Sequence, residues 1–169
     1  MEIDIMNILE NISYGYVDKN GNVHTIIDDD FAKLYKLQSP KELLNTMTGV
    51  CWDQVELQRY LFEKYNYKVK TYFIVYYTKN TCPTHTFLIY EKDDKFYYFE
   101  HAFEKYKGIY EYQNEKDALN DIKNNFIKGN NIDKFNKEYL VIYEYTKPKY
   151  GINVKNFFTH CENGKKIVL

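Results

Sequence analysis

Residues 84–101 read Thr-His-Thr-Phe-Leu-Ile-Tyr-Glu-Lys-Asp-Asp-Lys-Phe-Tyr-Tyr-Phe-Glu-His. Two runs dense in aromatic and aliphatic residues flank the polar turn Asp93-Asp94-Lys95, which is the pattern of a β-hairpin. Side chains alternate along a strand, so His85 shares a face with Phe87 and Ile89, and Glu100 shares one with Phe96 and Tyr98. With a turn at 92–95, the start of the first strand lies beside the end of the second. The spacing therefore predicts His85 beside Glu100. A carboxylate ending such an aromatic run is costly to bury unpaired, and a histidine donor meets that need. His101 alternates to the opposite face and is the reserve candidate if the register is shifted by one.

Working outward, Lys68 to Thr78 is rich in Val, Tyr, Phe and Ile and predicts a third strand, joined to the hairpin by the loop Lys79-Asn80-Thr81-Cys82-Pro83. Before it, Val50 to Tyr65 has no internal Gly or Pro and predicts a helix with Val55, Leu61, Phe62 and Tyr65 on its apolar side. Ser39-Pro40-Lys41-Glu42 combines an N-cap, a proline at N1 and a glutamate at N3, a strong helix start. Helical spacing over 3–12, a hairpin signal at Asn20-Gly21 and a helix after Asp28-Asp29-Asp30 fill the N-terminal part. Asn114 to Phe126 predicts an amphipathic helix, Tyr139 to Tyr145 a strand, Val154 to Cys161 a helix, and Ile167-Val168-Leu169 a last strand. Helices followed by an antiparallel sheet make this an α+β chain, with residues 1–169 as one domain.

The charge balance, Lys+Arg 23 against Asp+Glu 24, leaves no basic footprint for nucleic acid. No polybasic stretch or long apolar run points to a membrane. The cysteines are Cys51, Cys82 and Cys161, an odd count, and the first residues show no secretory leader. These features predict a soluble protein of the reducing cytoplasm. The abundance of Lys, Asn, Tyr and Ile is that of an AT-rich coding sequence. Against that background the single Trp52 and single Arg59 stand out.

Cys51 falls in the first turn of its helix, just after Thr48-Gly49. Unpaired backbone N–H groups and the helix dipole there favour a thiolate. Taken alone, such a cysteine is more often a small core residue, and His85 alone is more often the partner of a nearby carbonyl. Together, Cys51 on a helix N-terminus, His85 on a strand and Glu100 on the next strand supply a nucleophile, a base and an orienting carboxylate.

Gly49-Val50-Cys51-Trp52 resembles the Gly-Gln-Cys-Trp nucleophile motif of transglutaminases. The downstream histidine and acidic residue are similar in spacing to small bacterial transglutaminase-like domains. The resemblance covers about 38–112, with the flanking segments as decoration. It implies a papain-like fold whose nucleophile helix packs on the antiparallel sheet. It implies thiol acyl chemistry on an amide of a peptide or protein, of transglutaminase, deamidase or protease type. It implies no cofactor, and since no calcium-site match is present, no metal is carried over. Val50 in place of glutamine, and Glu100 where most of the family has Asp, are departures. By the same resemblance Trp52 is a wall near the nucleophile, with plain core packing equally open. Gln54 is a candidate substrate-binding donor, although an exposed helix position fits it better. Asp53 is expected to offset the helix dipole and Arg59 to pair with Glu56 or Glu63.

Two other readings stay open. The scaffold can serve as a non-catalytic peptide- or protein-binding module. Alternatively, Cys82, His85, His160 and Cys161 can form a zinc site, although their spacing matches no common finger.

Overall fold

The computed structural model describes residues 1–169. Its backbone is a six-stranded antiparallel sheet with helices on both faces. The N-terminal part comprises helix α1 (Glu2–Leu9), a short ribbon of β1 (Tyr16–Val17) and β2 (Val23–His24), the single turn α2 (Phe31–Leu34), and α3 (Pro40–Thr46). The nucleophile candidate opens α4 (Cys51–Lys64). Strands β3 (Lys68–Tyr76), β4 (Thr84–Lys92), β5 (Lys95–Glu100) and β6 (Gly108–Tyr112) follow. Then come α5 (Glu115–Gly129), β7 (Leu140–Tyr145), α6 (Val154–Glu162) and β8 (Lys165–Ile167). The strand order is β6-β5-β4-β3-β7-β8.

Local chemistry accounts for the helix starts. At α3 the Ser39 hydroxyl accepts from the Glu42 N–H at 3.3 Å while the Glu42 carboxylate accepts from the Ser39 N–H at 2.7 Å, a complete capping box. Asn114 and Asn153 cap α5 and α6, each at 2.9 Å. At α4 the N-cap is Val50, which has no acceptor. Asp53 at N3 instead accepts from the Val50 N–H at 3.0 Å.

Alternation along the strands divides the core. Phe73 and Val75 of β3, Leu88 and Tyr90 of β4 and Phe99 of β5 face α4, together with α1, α3 and α6. Tyr72, Ile74, Phe87, Ile89 and Tyr98 face α5, where Ala118, Leu119, Ile122 and Phe126 cover them. Helix α4 is thus sandwiched, and residues 51–59 are all buried. The one apolar stripe expected for it is incomplete, because Asp53, Gln54, Glu56, Gln58 and Arg59 are buried as well, while Tyr65 is exposed.

The segments outside 38–112 do more than decorate. Strand β7 pairs with the full inner length of β3, from Thr71↔Tyr145 to Tyr76↔Leu140, and β8 extends the sheet beyond it. The β8 residues 165–167 lie two positions earlier than the expected last strand. Edge strand β6 has no counterpart in the sequence reading. No helix is long and apolar enough to cross a membrane.

Candidate active site

The turn before α4 is fixed from several sides. The Ser13 N–H donates to Met47 O at 2.9 Å, and the Gly49 N–H donates to Ser13 O at 3.0 Å. The Gln38 side chain donates to Thr48 O at 2.8 Å. A Cβ on Gly49 would stand 2.6 Å from Leu43 Cδ1 and 2.9 Å from Asp53 Cβ, so only glycine fits. Asp53 is wholly buried and accepts from the Tyr35 hydroxyl (2.8 Å) and the Gln38 N–H (2.9 Å) as well as from Val50. Burial raises its carboxyl to about 7 in spite of these three donors. Its place is to hold the turn, which is more specific than offsetting a dipole.

Gln54 is also buried, contrary to the exposed position expected. Its amide nitrogen donates to Gly49 O at 3.0 Å, and its amide oxygen lies 2.7 Å from His101 Nδ1. Both ends of the amide are used inside the protein. Gln54 lines neither cavity beside Cys51, which does not fit a substrate donor. His101, the reserve candidate, is thereby committed to Gln54 just beyond the end of β5, and burial and the nearby Lys107 lower its pKa.

His85 and Glu100 meet. His85 Nε2 lies 2.6 Å from Glu100 Oε2, both side chains being almost fully buried. The β4–β5 register runs to Leu88↔Phe99. Carried one step further it puts Glu100 opposite Phe87, so His85 is its diagonal neighbour on the same face. The Tyr98 hydroxyl also donates to Glu100 Oε2, and the Phe103 N–H donates to Oε1 at 2.8 Å. The Cys51 thiol lies close enough to the His85 ring to act on it together with Glu100. Burial works against the imidazolium. The Glu100 carboxylate and the Cys51 sulfur outweigh it and push His85 up to about 10. The same pairing holds Glu100 below the usual carboxylate range against its own burial.

The meeting does not occur as the sequence suggests. Because His85 shares a face with Phe87 and Ile89, the sequence suggests a helix N-terminus packed across that face, but α5 occupies it and α4 lies on the other. Thiol and imidazole reach each other at the end of the sheet, beyond the last residue of β5, where β4 has no neighbour on that side.

Trp52 has both roles considered for it. It stacks on Phe157 of α6 at 4.3 Å and lines the cavity beside Cys51. Arg59 pairs with Glu56 rather than Glu63, through two bonds of 3.0 and 3.3 Å, and also donates to Thr71. The four zinc candidates are not brought together: His85 is on Glu100, His160 Nε2 lies 2.7 Å from Thr146 O, and Cys161 is in the core. No three His, Cys, Asp or Glu side chains are grouped so that they could hold a metal ion. All three cysteines are free.

One residue had drawn no attention in the sequence. Tyr14, half exposed and carried beside the nucleophile by the Ser13–Thr48 bridge, brings its hydroxyl to both the thiol and the backbone N–H of Cys51. The Cys51 sulfur, then burial of the hydroxyl, raise its pKa well above the usual tyrosine range. In the sequence Tyr14 reads only as the start of the strand Tyr14 to Val17 that flanks the Asn20-Gly21 turn, and nothing there marks a site.

The family described as transglutaminase-like domain matches residues 3–120, well over half of the chain. The chain belongs to the transglutaminase-like family. No curated protein matches it. The family match begins well before the Gly49-Val50-Cys51-Trp52 motif and takes in Tyr14, so the N-terminal segment belongs to the transglutaminase-like domain. It ends within α5, leaving β7, α6 and β8 outside.

Proposed function

We propose that the protein performs cysteine-dependent acyl transfer or hydrolysis on an amide of a peptide or protein. The observation that carries this is the chain of contacts from Glu100 through His85 to the thiol at the N-terminus of α4. A thiolate–imidazolium pair, with the imidazolium held by a buried carboxylate, is the resting state such chemistry needs. The Cys51 sulfur attacks the amide carbon and forms a C–S bond. His85 gives its proton to the departing nitrogen as the C–N bond breaks, leaving a thioester and a free amine. Water or a second amine, deprotonated by His85, then attacks the thioester and returns the thiol. Bound substrate would take the Cys51 N–H from the Tyr14 hydroxyl, so that this donor meets the carbonyl oxygen as it gains charge. Glu100 holds the ring in one orientation and stabilises its charged form.

The test is intact-mass analysis after incubation with glutamine-containing peptides and a primary amine. The expected result is an acyl adduct on Cys51, together with released ammonia or amine, both lost in Cys51→Ala. A wild-type protein that binds such peptides with neither adduct nor amine release favours the non-catalytic module.

A further inference from the structure

Two cavities meet at Cys51 and His85, and they differ in chemistry. One, of about 350 Å³, is walled by Ile27, Phe31, Trp52, Val154 and Phe158 and has Cys51 in its lining, with no charged residue. The other, of about 370 Å³, has His85 in its lining and includes Glu104 and Asn130. Tyr14 and Thr84 border both, so the two are arms of one cleft divided at the reacting atoms. The proposed chemistry, on which this inference rests, assigns the arms. The acyl carbon bonds to the Cys51 sulfur, so the acyl part lies on the Cys51 side. The departing or incoming amine exchanges a proton with His85, so it lies on the His85 side.

We propose that the Cys51-side arm is a subsite for a large apolar side chain on the acyl part of a peptide substrate, next to the amide that reacts. Its volume sits near the lower end of the range for ligand pockets, roughly 300–1,000 Å³, which suits one residue's side chain rather than a cofactor. Apart from the reacting thiol, its lining offers a charged side chain no charged partner on leaving water, only the hydroxyls of Tyr14 and Thr84 at its border and the Cys82 thiol. Ile27 is itself exposed, so the apolar lining reaches the mouth of the arm. Val154 and Phe158 come from α6, outside the family-matched residues 3–120, so this wall is the chain's own contribution.

The test uses N-acetyl-X chloromethyl ketones with X as Phe, Leu, Asp or Lys, which place the X side chain next to the carbonyl that stands for the reacting amide. Each inactivation rate at Cys51 is divided by the rate of the same protein with iodoacetamide, which carries no side chain. The expected result is Phe and Leu at least tenfold faster than Asp and Lys. Val154→Asp and Ile27→Asp stand on separate segments. One is in the first turn of α6, where an acid is well tolerated, and the other is in an exposed loop. Either substitution is expected to cut the ratio of Phe to Lys at least fivefold. Four rates within twofold of one another in the wild type, or an unchanged ratio in both variants, would overturn the subsite. If iodoacetamide does not prefer Cys51 over Cys82, the activated thiol falls and the subsite with it.

Discussion

His85 carries the pH dependence at the scale of single residues. Its proton is held up to about 10 in the folded chain against an ordinary 6.5. A raised value of this kind adds stability that is complete below pH 6.5 and is lost as the pH climbs to about 10. Glu100, lowered from 4.5, adds stability above that value and loses it on acidification. The advantage of the wild type over Glu100→Gln in thermal midpoint is therefore expected to be greatest between pH 4.5 and 6.5 and to shrink toward pH 10. Acyl transfer is expected to fall over the same alkaline range, because the leaving nitrogen then finds no proton. A pH-independent difference between wild type and variant would contradict the pairing. Gly49→Ala is expected to cost about 1–3 kcal/mol, since Leu43 and Asp53 are both buried and cannot withdraw from the new methyl group. Chemical denaturation measures it, and slower alkylation of Cys51 should accompany the loss. These residues were partly legible. Cys51, His85 and Glu100 stood out because each residue type is costly or uncommon in its setting. Gln54 and Asp53 were singled out there without the contacts they make, and Tyr14 was not marked at all, because what each does depends on a turn built from distant segments.

Elements were read best where period and capping agree. The α3 box, the polar turn between β4 and β5 and the α5 stripe were all visible in short windows of sequence. Strand β6 was missed because an edge strand of five residues, only part-buried, has weak alternation. The polar side of α4 was misread as exposed. A helix held between a sheet and other helices must satisfy its polar groups internally, and period alone does not reveal that. Arg59 illustrates the consequence. Its guanidinium is buried with Glu56, under the Tyr145 ring at 5.4 Å. Arg59→Met leaves a buried carboxylate unpaired and is expected to cost about 3–5 kcal/mol in urea denaturation. A change under 1 kcal/mol would mean that Glu56 finds another partner. The β4–β5 turn offers the opposite case. Asp93 and Asp94 both adopt left-handed backbone, at φ 50° and 58°. Asp94→Gly is expected to raise stability by about 1 kcal/mol with no effect on Cys51 reactivity.

For the whole molecule, sequence pattern gave α+β and the hairpin that joins base and carboxylate, and the family match agrees with that architecture. What it withheld was which helix covers which face. That choice places α4 and α5 on opposite sides and moves the meeting of Cys51 and His85 to the end of the sheet. It also makes the C-terminal part integral: Phe157 of α6 stacks on Trp52 beside the nucleophile. Phe157→Ala is expected to cost about 3–5 kcal/mol in a single cooperative transition, whereas a separate early transition would show α6 to be an independent appendage. The central claim remains the activated thiol. Accessibility alone favours Cys82, which is exposed, over the buried Cys51. Burial and the Glu162 charge raise the Cys82 thiol, and burial and the Glu56 charge raise that of Cys161. The direct measurement is the rate of iodoacetamide alkylation at each cysteine of the native protein at neutral pH, resolved by peptide mass spectrometry, in wild type and His85→Ala. The account predicts Cys51 at least tenfold faster than Cys82 in the wild type and no faster in the variant. Cys82 reacting first in the wild type, or a Cys51 rate indifferent to His85, would contradict it.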